Sequence, residues 1–483
     1  MLKEYAYAKI NLALEVMDVK DGYHMVNNLM VPISLYDELL FEKSDEIELI
    51  NNEFKDNIII KAAKLFFEYT KINNGVKITL NKNIPSAAGL AGGSSDAAAT
   101  LRGLNRLYNT NLTKNELIDL SAQLGSDVGF FILNKPALCT GRGEIVNPIN
   151  SNLSKIDLLL LKVDKGLSTK EVYKNYEWDK ISKESNINNL ILGINNNDIN
   201  LIKDNIFNDL KNTSLSLNSD MNDLYQLLIN NGLDPYVSGS GPTIYLFNPT
   251  KEEINKAKSL VNNIFVNECH ILGNDEINSY ITEIGNPRCP NGYLGEEMLD
   301  RMNDSHFVLT NWGLSFVNFN KTDIVLDIGC GGGMTINTIL KSADMVYGID
   351  YSETSVNKSI EFNKEYVDSG RANILLVNVE KMPFKDKAFD KIVTVESFYF
   401  WPDHLNNLKE VRRILKDNGE FVLIADLYDN GNLNEREKKA VSQYNLFNPT
   451  IAVFKDIFDK AGFNIDIKLL KNTKWIAIVG EKK

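Results

Sequence analysis

Two glycine-rich segments built to different spacing rules constrain this chain more than any other feature: Ile84–Leu101 (IPSAAGLAGGSSDAAATL) and Val325–Gly333 (VLDIGCGGG). Each follows a strand-like apolar run and leads into a helical pattern. Glycine at such density lets backbone amides come close to a ligand and take φ > 0 without a Cβ clash. Two such loops predict two ligand sites. Because 483 residues exceed the length over which one hydrophobic core usually grows, separate domains are predicted to carry them.

The net charge of −12 argues against broad nucleic-acid or membrane partners, which require a basic surface. No run of about 18 apolar residues predicts a membrane-spanning helix. The opening MLKEYAYAKINLALEV alternates like a strand and lacks the apolar core of a signal peptide. Cys139, Cys269, Cys289 and Cys330 form no C-x-x-C pair, which fits a reducing compartment. Small-molecule partners and a cytoplasmic location are therefore expected, and the oligomeric state is not legible.

Strand-like runs at Ala6–Val16 and Leu29–Ser34 precede an expected helix at Asn57–Lys71 and a strand at Gly75–Leu80. The first glycine loop runs into an alanine-rich helix at Ser94–Leu107, then a helix at Lys114–Leu124. A strand at Asp157–Val163 and helices near Lys170–Glu177, Asp198–Leu210 and Leu217–Asn231 follow. The asparagine-rich stretch Asn186–Asn200 reads as compositional bias rather than a substrate loop, because asparagine enrichment recurs along the chain. Gly285–Gly292 holds two prolines and two glycines, the marks of a linker. Beyond it, strands at Ile324–Ile328, Met345–Ile349, Ile374–Val377, Lys391–Glu396 and Gly419–Ala425 alternate with helices, predicting a doubly wound parallel sheet. Asn464–Leu470 and Lys474–Val479 predict an antiparallel hairpin closing it. The expected domains are 1–275, with halves of about 1–150 and 151–275, a linker at 276–292, and 293–483.

The loop at Pro85–Ala98 has no Walker lysine after its glycines, so backbone amides must hold the phosphates. Gly89, Gly92 and Gly93 free those amides, Ser94 and Ser95 add hydroxyls, and the helix start turns its positive end toward an anion. Ala8–Leu12 (AKINL), Gly22-Tyr23-His24 and Ser238–Thr243 (SGSGPT) complete a pattern that resembles the GHMP small-molecule kinases. The order of AKINL, DGYH, SSDAA and LGSDVGFF is similar to the branch that phosphorylates a cytidine-diphosphate-linked methylerythritol in non-mevalonate isoprenoid synthesis. The resemblance covers roughly 1–275 and implies an α+β fold, ATP with Mg2+, and catalysis by Lys9 and Asp127. It further implies ATP contacts at Pro85, Ala87, Gly89, Leu90, Ala91, Gly92, Gly93, Ser94, Ser95, Gly239 and Ser240, and substrate contacts at Asn11, Tyr23, His24, Thr169 and Tyr173. Two residues depart from the family: Ala91 stands where a glycine is usual, and Gly129 where proline is usual. Another small alcohol as acceptor is the competing reading.

Asp327–Gly333 fits D-x-G-x-G-x-G between a strand and a helix, and Met334 at the place of the third small residue weakens a dinucleotide reading. With Asp350 one βαβ step on and the terminal hairpin, this half resembles the class I S-adenosylmethionine-dependent methyltransferases. That implies an α/β Rossmann-like sheet and cofactor contacts at Asp327, Gly329, Gly331, Gly333, Asp350, Val379 and Glu380. Asn378 stands where members often carry an acid. Glu396–Trp401 (ESFYFW) reads as core aromatics near the acceptor rim, and no zinc or iron ligand cluster is legible, so no metal ligand is assigned. The acceptor is open, and a module that binds S-adenosylmethionine without transferring its methyl is the competing reading.

Overall fold

The computed structural model describes residues 1–20, 23–51, 57–176 and 186–483. Gly22, and Glu177 at the end of an expected helix, lie outside the described residues. The chain divides into two compact units, Met1–Ser279 and Tyr280–Lys483. The division falls within the helix Asn274–Gly285, so much of the expected linker at 276–292 is helical; left-handed Asn286 ends that helix, and another, Gly292–Leu314, follows.

In the first unit the strands are longer than hydrophobic alternation suggests. Leu2–Lys20 and Tyr23–Ser44 pair antiparallel along most of their lengths, with register shifts at Tyr7/Ala8, Asn11/Ala13 and Val16/Val19. Each shift rephases which side chains face inward, so period-2 alternation breaks while the strand continues. The main path of the sheet runs Ile47–Ile50, Gly75–Asn81, Tyr23–Ser44, Phe265–Ile271, Ile156–Lys162, Thr243–Phe247, Pro235–Val237. The helix Gly92–Tyr108 lies directly on it: a Cβ on Gly103 would stand 2.7 Å from the Phe41 ring. Arg102, buried in that helix, donates to the carbonyls of Phe131 and Tyr5 and lies 3.2 Å from Glu4 Oε2, which fixes the helix that begins at the glycine loop.

The asparagine-rich stretch forms two helices, Ile187–Asn196 and Ile199–Asn205, with left-handed Asn197 between them and Leu190, Ile194 and Ile202 in the core. Asparagine tolerates that conformation better than most residues. The helix expected at Asp198–Leu210 ends at Asn205, a separate helix Lys211–Leu217 fills the gap after it, and Ser219–Asn230 stands where Leu217–Asn231 was expected.

The second unit is a seven-stranded sheet in the order Ala372–Leu376, Met345–Asp350, Ile324–Ile328, Phe389–Val395, Leu415–Ala425, Ile476–Lys482, Phe463–Leu469. The first five strands are parallel, and the hairpin formed by the last two is antiparallel. Leu326 and Ile328 enter one core and Val325 the other, the period of a strand covered on both faces. Strand order reverses on either side of Ile324–Ile328, and the crevice at such a switch point is where open α/β sheets bind ligands.

Candidate active sites

The first unit holds a cleft of about 1530 Å³ whose wall includes Lys9, Asn11, Tyr23, His24, Asp127, Thr169, Tyr173, Gly239 and Ser240 together with most of the glycine loop. Lys9 is buried, and its ammonium donates to Asn11 Oδ1 at 2.6 Å and to the Gly89 carbonyl at 2.8 Å. Burial pulls its pKa down and the Asp127 charge pulls it back up. Asp127 precedes the short helix Val128–Leu133, and its side chain makes no capping bond there, so the carboxylate has no structural duty at the helix start. Gly129, where proline is usual, sits in that helix.

The segment Ser238–Thr243 clamps the loop from behind. Ser238 Oγ donates to the Gly89 carbonyl at 3.0 Å, and the Thr243 amide to that of Ala88 at 3.3 Å. Gly89, at φ +74°, admits no side chain: a Cβ would stand 2.3 Å from the Ser238 carbonyl oxygen. Ser240 Oγ and Thr169 Oγ1 share a hydrogen bond of 2.8 Å across the cleft wall. Elsewhere on the cleft wall Tyr173 stacks on His24 with ring centroids 5.4 Å apart, and Arg142 lies 5.1 Å over the exposed Tyr23 ring.

Two of the residues expected to contact ATP, Ser95 and Leu90, do not line the cleft. Ser95 is fully buried, and its hydroxyl donates to the Tyr7 carbonyl at 2.7 Å, so it anchors the helix to the sheet instead of lining the cleft. Leu90 points into the core, and its carbonyl accepts from the Lys9 amide. One residue was missed: Lys82, placed before the glycines, reaches the cleft wall and lies where a Cβ on Gly92 would meet it at 3.0 Å. It bridges Asp37 and Asp96, the latter at 3.0 Å.

Ala91 caps the start of the helix Gly92–Tyr108 at φ +54°, and Ala87 sits at φ +49°. Left-handed geometry costs a non-glycine residue roughly 1 kcal/mol or more. Ala91→Gly is therefore expected to raise the stability of the first unit by several tenths to about 1 kcal/mol in urea unfolding, unfolded-state entropy offsetting part of the gain. An unchanged or lower midpoint would contradict strain at this position.

In the second unit a cavity of about 270 Å³ opens at the switch point, lined by Gly329, Gly331, Asp350, Val379 and Glu380 among others. Asp350 Oδ2 accepts from the Gly331 amide at 3.1 Å and Oδ1 from the Ser352 amide at 2.9 Å, tying the strand end to the loop. Asn378 lines the cavity and exchanges hydrogen bonds with Glu380 at 2.9 and 3.0 Å.

Two expected contact residues, Asp327 and Gly333, stand apart from the others. Neither lies on the cavity wall. Gly333, at φ +86°, leaves room for Asn363 and Ser359, which a Cβ would strike at 2.5 and 2.6 Å. Asp327 is buried below the loop with neither carboxylate oxygen hydrogen-bonded. Burial first, then the nearby Asp350, push its pKa up to about 8. A raised folded-state pKa means that folding holds the proton, so stability is greatest below the ordinary carboxylate range and falls as pH rises through about 8. Asp327→Asn is expected to flatten the decline of the second unit's melting temperature between pH 5 and pH 8; an identical slope would refute this role.

Phe398, Tyr399 and Trp401 pack in the core as the aromatic run suggested, though Phe400 and Trp401 also border the cavity. His306, Glu396 and Asp426, far apart in sequence, each bring a ligand atom within 4.8 Å of the others, which local spacing gave no means of foreseeing. Among the described residues no helix is long and apolar enough to cross a membrane.

Residues 57–135 match the family model of the GHMP kinases N terminal domain, and residues 326–423 that of a methyltransferase domain. A 4-diphosphocytidyl-2-C-methyl-D-erythritol kinase of Clostridium perfringens is 39% identical over 255 residues, which span 51% of this chain and 88% of that protein. A crystal structure of 4-(cytidine 5'-diphospho)-2C-methyl-D-erythritol kinase aligns at 27% identity with TM-score 0.49, covering 56% of this chain and all of that one. A SAM dependent methyltransferase from Aquifex aeolicus aligns at 17% identity with TM-score 0.33, covering 38% of this chain and 97% of that one.

Proposed function

Since the chain belongs, through its first unit, to the 4-diphosphocytidyl-2-C-methyl-D-erythritol kinase family and carries a methyltransferase domain in its second, we propose that it transfers two different groups from two different donors. In the first unit the reaction is ATP-dependent phosphorylation of the 2-hydroxyl of 4-diphosphocytidyl-2-C-methyl-D-erythritol, a step of non-mevalonate isoprenoid biosynthesis. The supporting observation is that Lys9, Asp127, the glycine loop and the His24–Tyr173 pair share one cleft.

In this reading the amides of Gly92, Gly93 and Ser94 hold the phosphates at the helix start, where orphan donors and the helix dipole favour an anion. The tertiary hydroxyl oxygen attacks the γ-phosphorus while the bond to the bridging oxygen breaks and its electron pair leaves with ADP. Asp127 orients the hydroxyl and takes its proton, and the Lys9 ammonium neutralises charge on the transferring oxygens. Magnesium would screen the phosphates, with Ser94 and Asp96 the oxygen donors beside the loop; Asp96 Oδ1 lies buried without a partner. Tyr23, His24 and Tyr173 receive the cytosine by stacking and edge hydrogen bonding.

In the second unit S-adenosylmethionine supplies an electrophilic methyl on its sulfonium. Gly329 and Gly331 would bring their backbone against it, Asp350 would accept from the ribose hydroxyls, and Val379 and Glu380 would border the adenine. We place both activities in the cytoplasm, in keeping with four cysteines that form no disulfide. Phosphorus NMR of the full chain with ATP, magnesium and the cytidine-linked substrate is expected to show a new phosphomonoester and ADP. Turnover of mevalonate or homoserine instead, with the cytidine substrate ignored, would overturn the kinase assignment.

A further inference from the structure

His306 comes from the helix Gly292–Leu314, Glu396 follows the strand Phe389–Val395, and Asp426 follows the neighbouring strand Leu415–Ala425. His306 and Glu396 stand on the wall of the same cavity that Gly329, Gly331 and Asp350 line. Their nearest atoms, Nε2 and Oε2, are 4.0 Å apart. That is too long for a hydrogen bond. It is about twice the ~2.0–2.2 Å bond that an imidazole nitrogen or a carboxylate oxygen makes to a divalent metal.

The other oxygens are already in use in a way that aims these groups. The Asp426 amide donates to Glu396 Oε1, leaving Oε2 toward His306. The Tyr399 hydroxyl donates to Asp426 Oδ1 at 3.2 Å. Outer partners of this kind fix the ligands of metal centres. Glu396 is also one of few residues other than asparagine and glycine held at positive φ, here +54°. Such strain persists only where surrounding structure imposes it.

We propose that His306, Glu396 and Asp426 form a divalent-cation site beside the methyl-donor pocket. One nitrogen and two carboxylate donors suit a first-row cation such as Mn2+, Fe2+ or Zn2+ better than Ca2+. Three protein ligands leave positions open to the cavity. An oxygen of the methyl acceptor fills one of them, which narrows the acceptor to molecules presenting a metal-binding oxygen. The site itself is independent of the methyltransferase reading, and only the role given to the acceptor rests on it.

The test uses the untagged full chain, stripped with chelator and kept free of ATP. Mn2+ binding is followed by loss of the free-ion electron paramagnetic resonance signal, and Co2+ binding by visible absorption. One ion per chain is expected. His306→Gln, Glu396→Gln and Asp426→Asn should each weaken binding by at least about tenfold. Asp426 is exposed, so its variant decides the matter if the other two fail to fold. Failure of the wild-type chain to bind either ion stoichiometrically, or equal binding by Asp426→Asn, would overturn the site. Calorimetric titration with S-adenosylmethionine separates the two readings: cation bound without the donor supports the site and sinks the methyltransferase pocket, and donor bound without cation does the reverse.

Discussion

Asp127→Asn is expected to lower kcat for phosphorylation of the cytidine-linked substrate by roughly 10²–10⁴-fold, the usual worth of a positioned general base. The substitution is nearly isosteric, and the native side chain makes no capping bond to the helix Val128–Leu133, so the fold loses nothing that it uses. ATP affinity should hold if, as proposed, the amides at the start of the helix Gly92–Tyr108 carry the phosphates. A second readout belongs to Lys9. Burial lowers its pKa and Asp127 opposes that shift, so the variant should lose activity at a lower alkaline pH than wild type does. Full turnover in the variant would remove Asp127 from catalysis, and an unchanged alkaline limb would mean that the two groups do not feel each other.

Gly329→Ala is expected to abolish S-adenosylmethionine binding measured by calorimetry and to lower the melting temperature of the second unit. Two costs combine. At φ +75° an alanine is strained, and its Cβ would stand 2.4 Å from both Cβ and Oγ of Ser397. That serine cannot yield cheaply, since its hydroxyl donates to the Ile328 carbonyl at 3.0 Å, shares a 2.6 Å bond with Thr394 and accepts from the Trp401 indole at 3.4 Å. Gly370→Ala is the matched control: φ is +74° and nothing lies within 4 Å of the added carbon. It should cost only the backbone term, roughly 1 kcal/mol, with donor binding intact. Equal behaviour of the two variants would show that the contact with Ser397 is immaterial.

Both glycine loops were legible because left-handed turns or close approaches exclude side chains at Gly89 and Gly92 in the first and at Gly329, Gly331 and Gly333 in the second, and that exclusion is written in composition. What the loops touch was less legible. A motif read along the chain does not separate a residue facing the ligand from one packed beneath the loop, which is why Ser95, Leu90, Asp327 and Gly333 were placed on walls they do not reach. Lys82 and the His306–Glu396–Asp426 group were illegible for the opposite reason. Their neighbours come from distant segments, and only the closed fold makes them adjacent. The long opening strands escaped because bulges interrupt the alternation that marks a strand.

Asparagine carried more information than its abundance suggested. Of the fifteen non-glycine residues at positive φ among those described, ten are asparagine. Of the remaining five, Ala87 and Ala91 stand in the first loop and Glu396 at the second cavity. Most asparagines of this group end helices or turn loops, whereas three of the five other residues border a candidate site.

In each unit a late strand lies inside its sheet: Phe265–Ile271 separates Tyr23–Ser44 from Ile156–Lys162, and Ile476–Lys482 separates Leu415–Ala425 from Phe463–Leu469. On the ribosome, neither sheet can close before that strand has emerged. Each unit therefore waits with unpaired strand edges exposed, the first while most of the second is still untranslated, and chaperone demand during synthesis should come in two separate pulses.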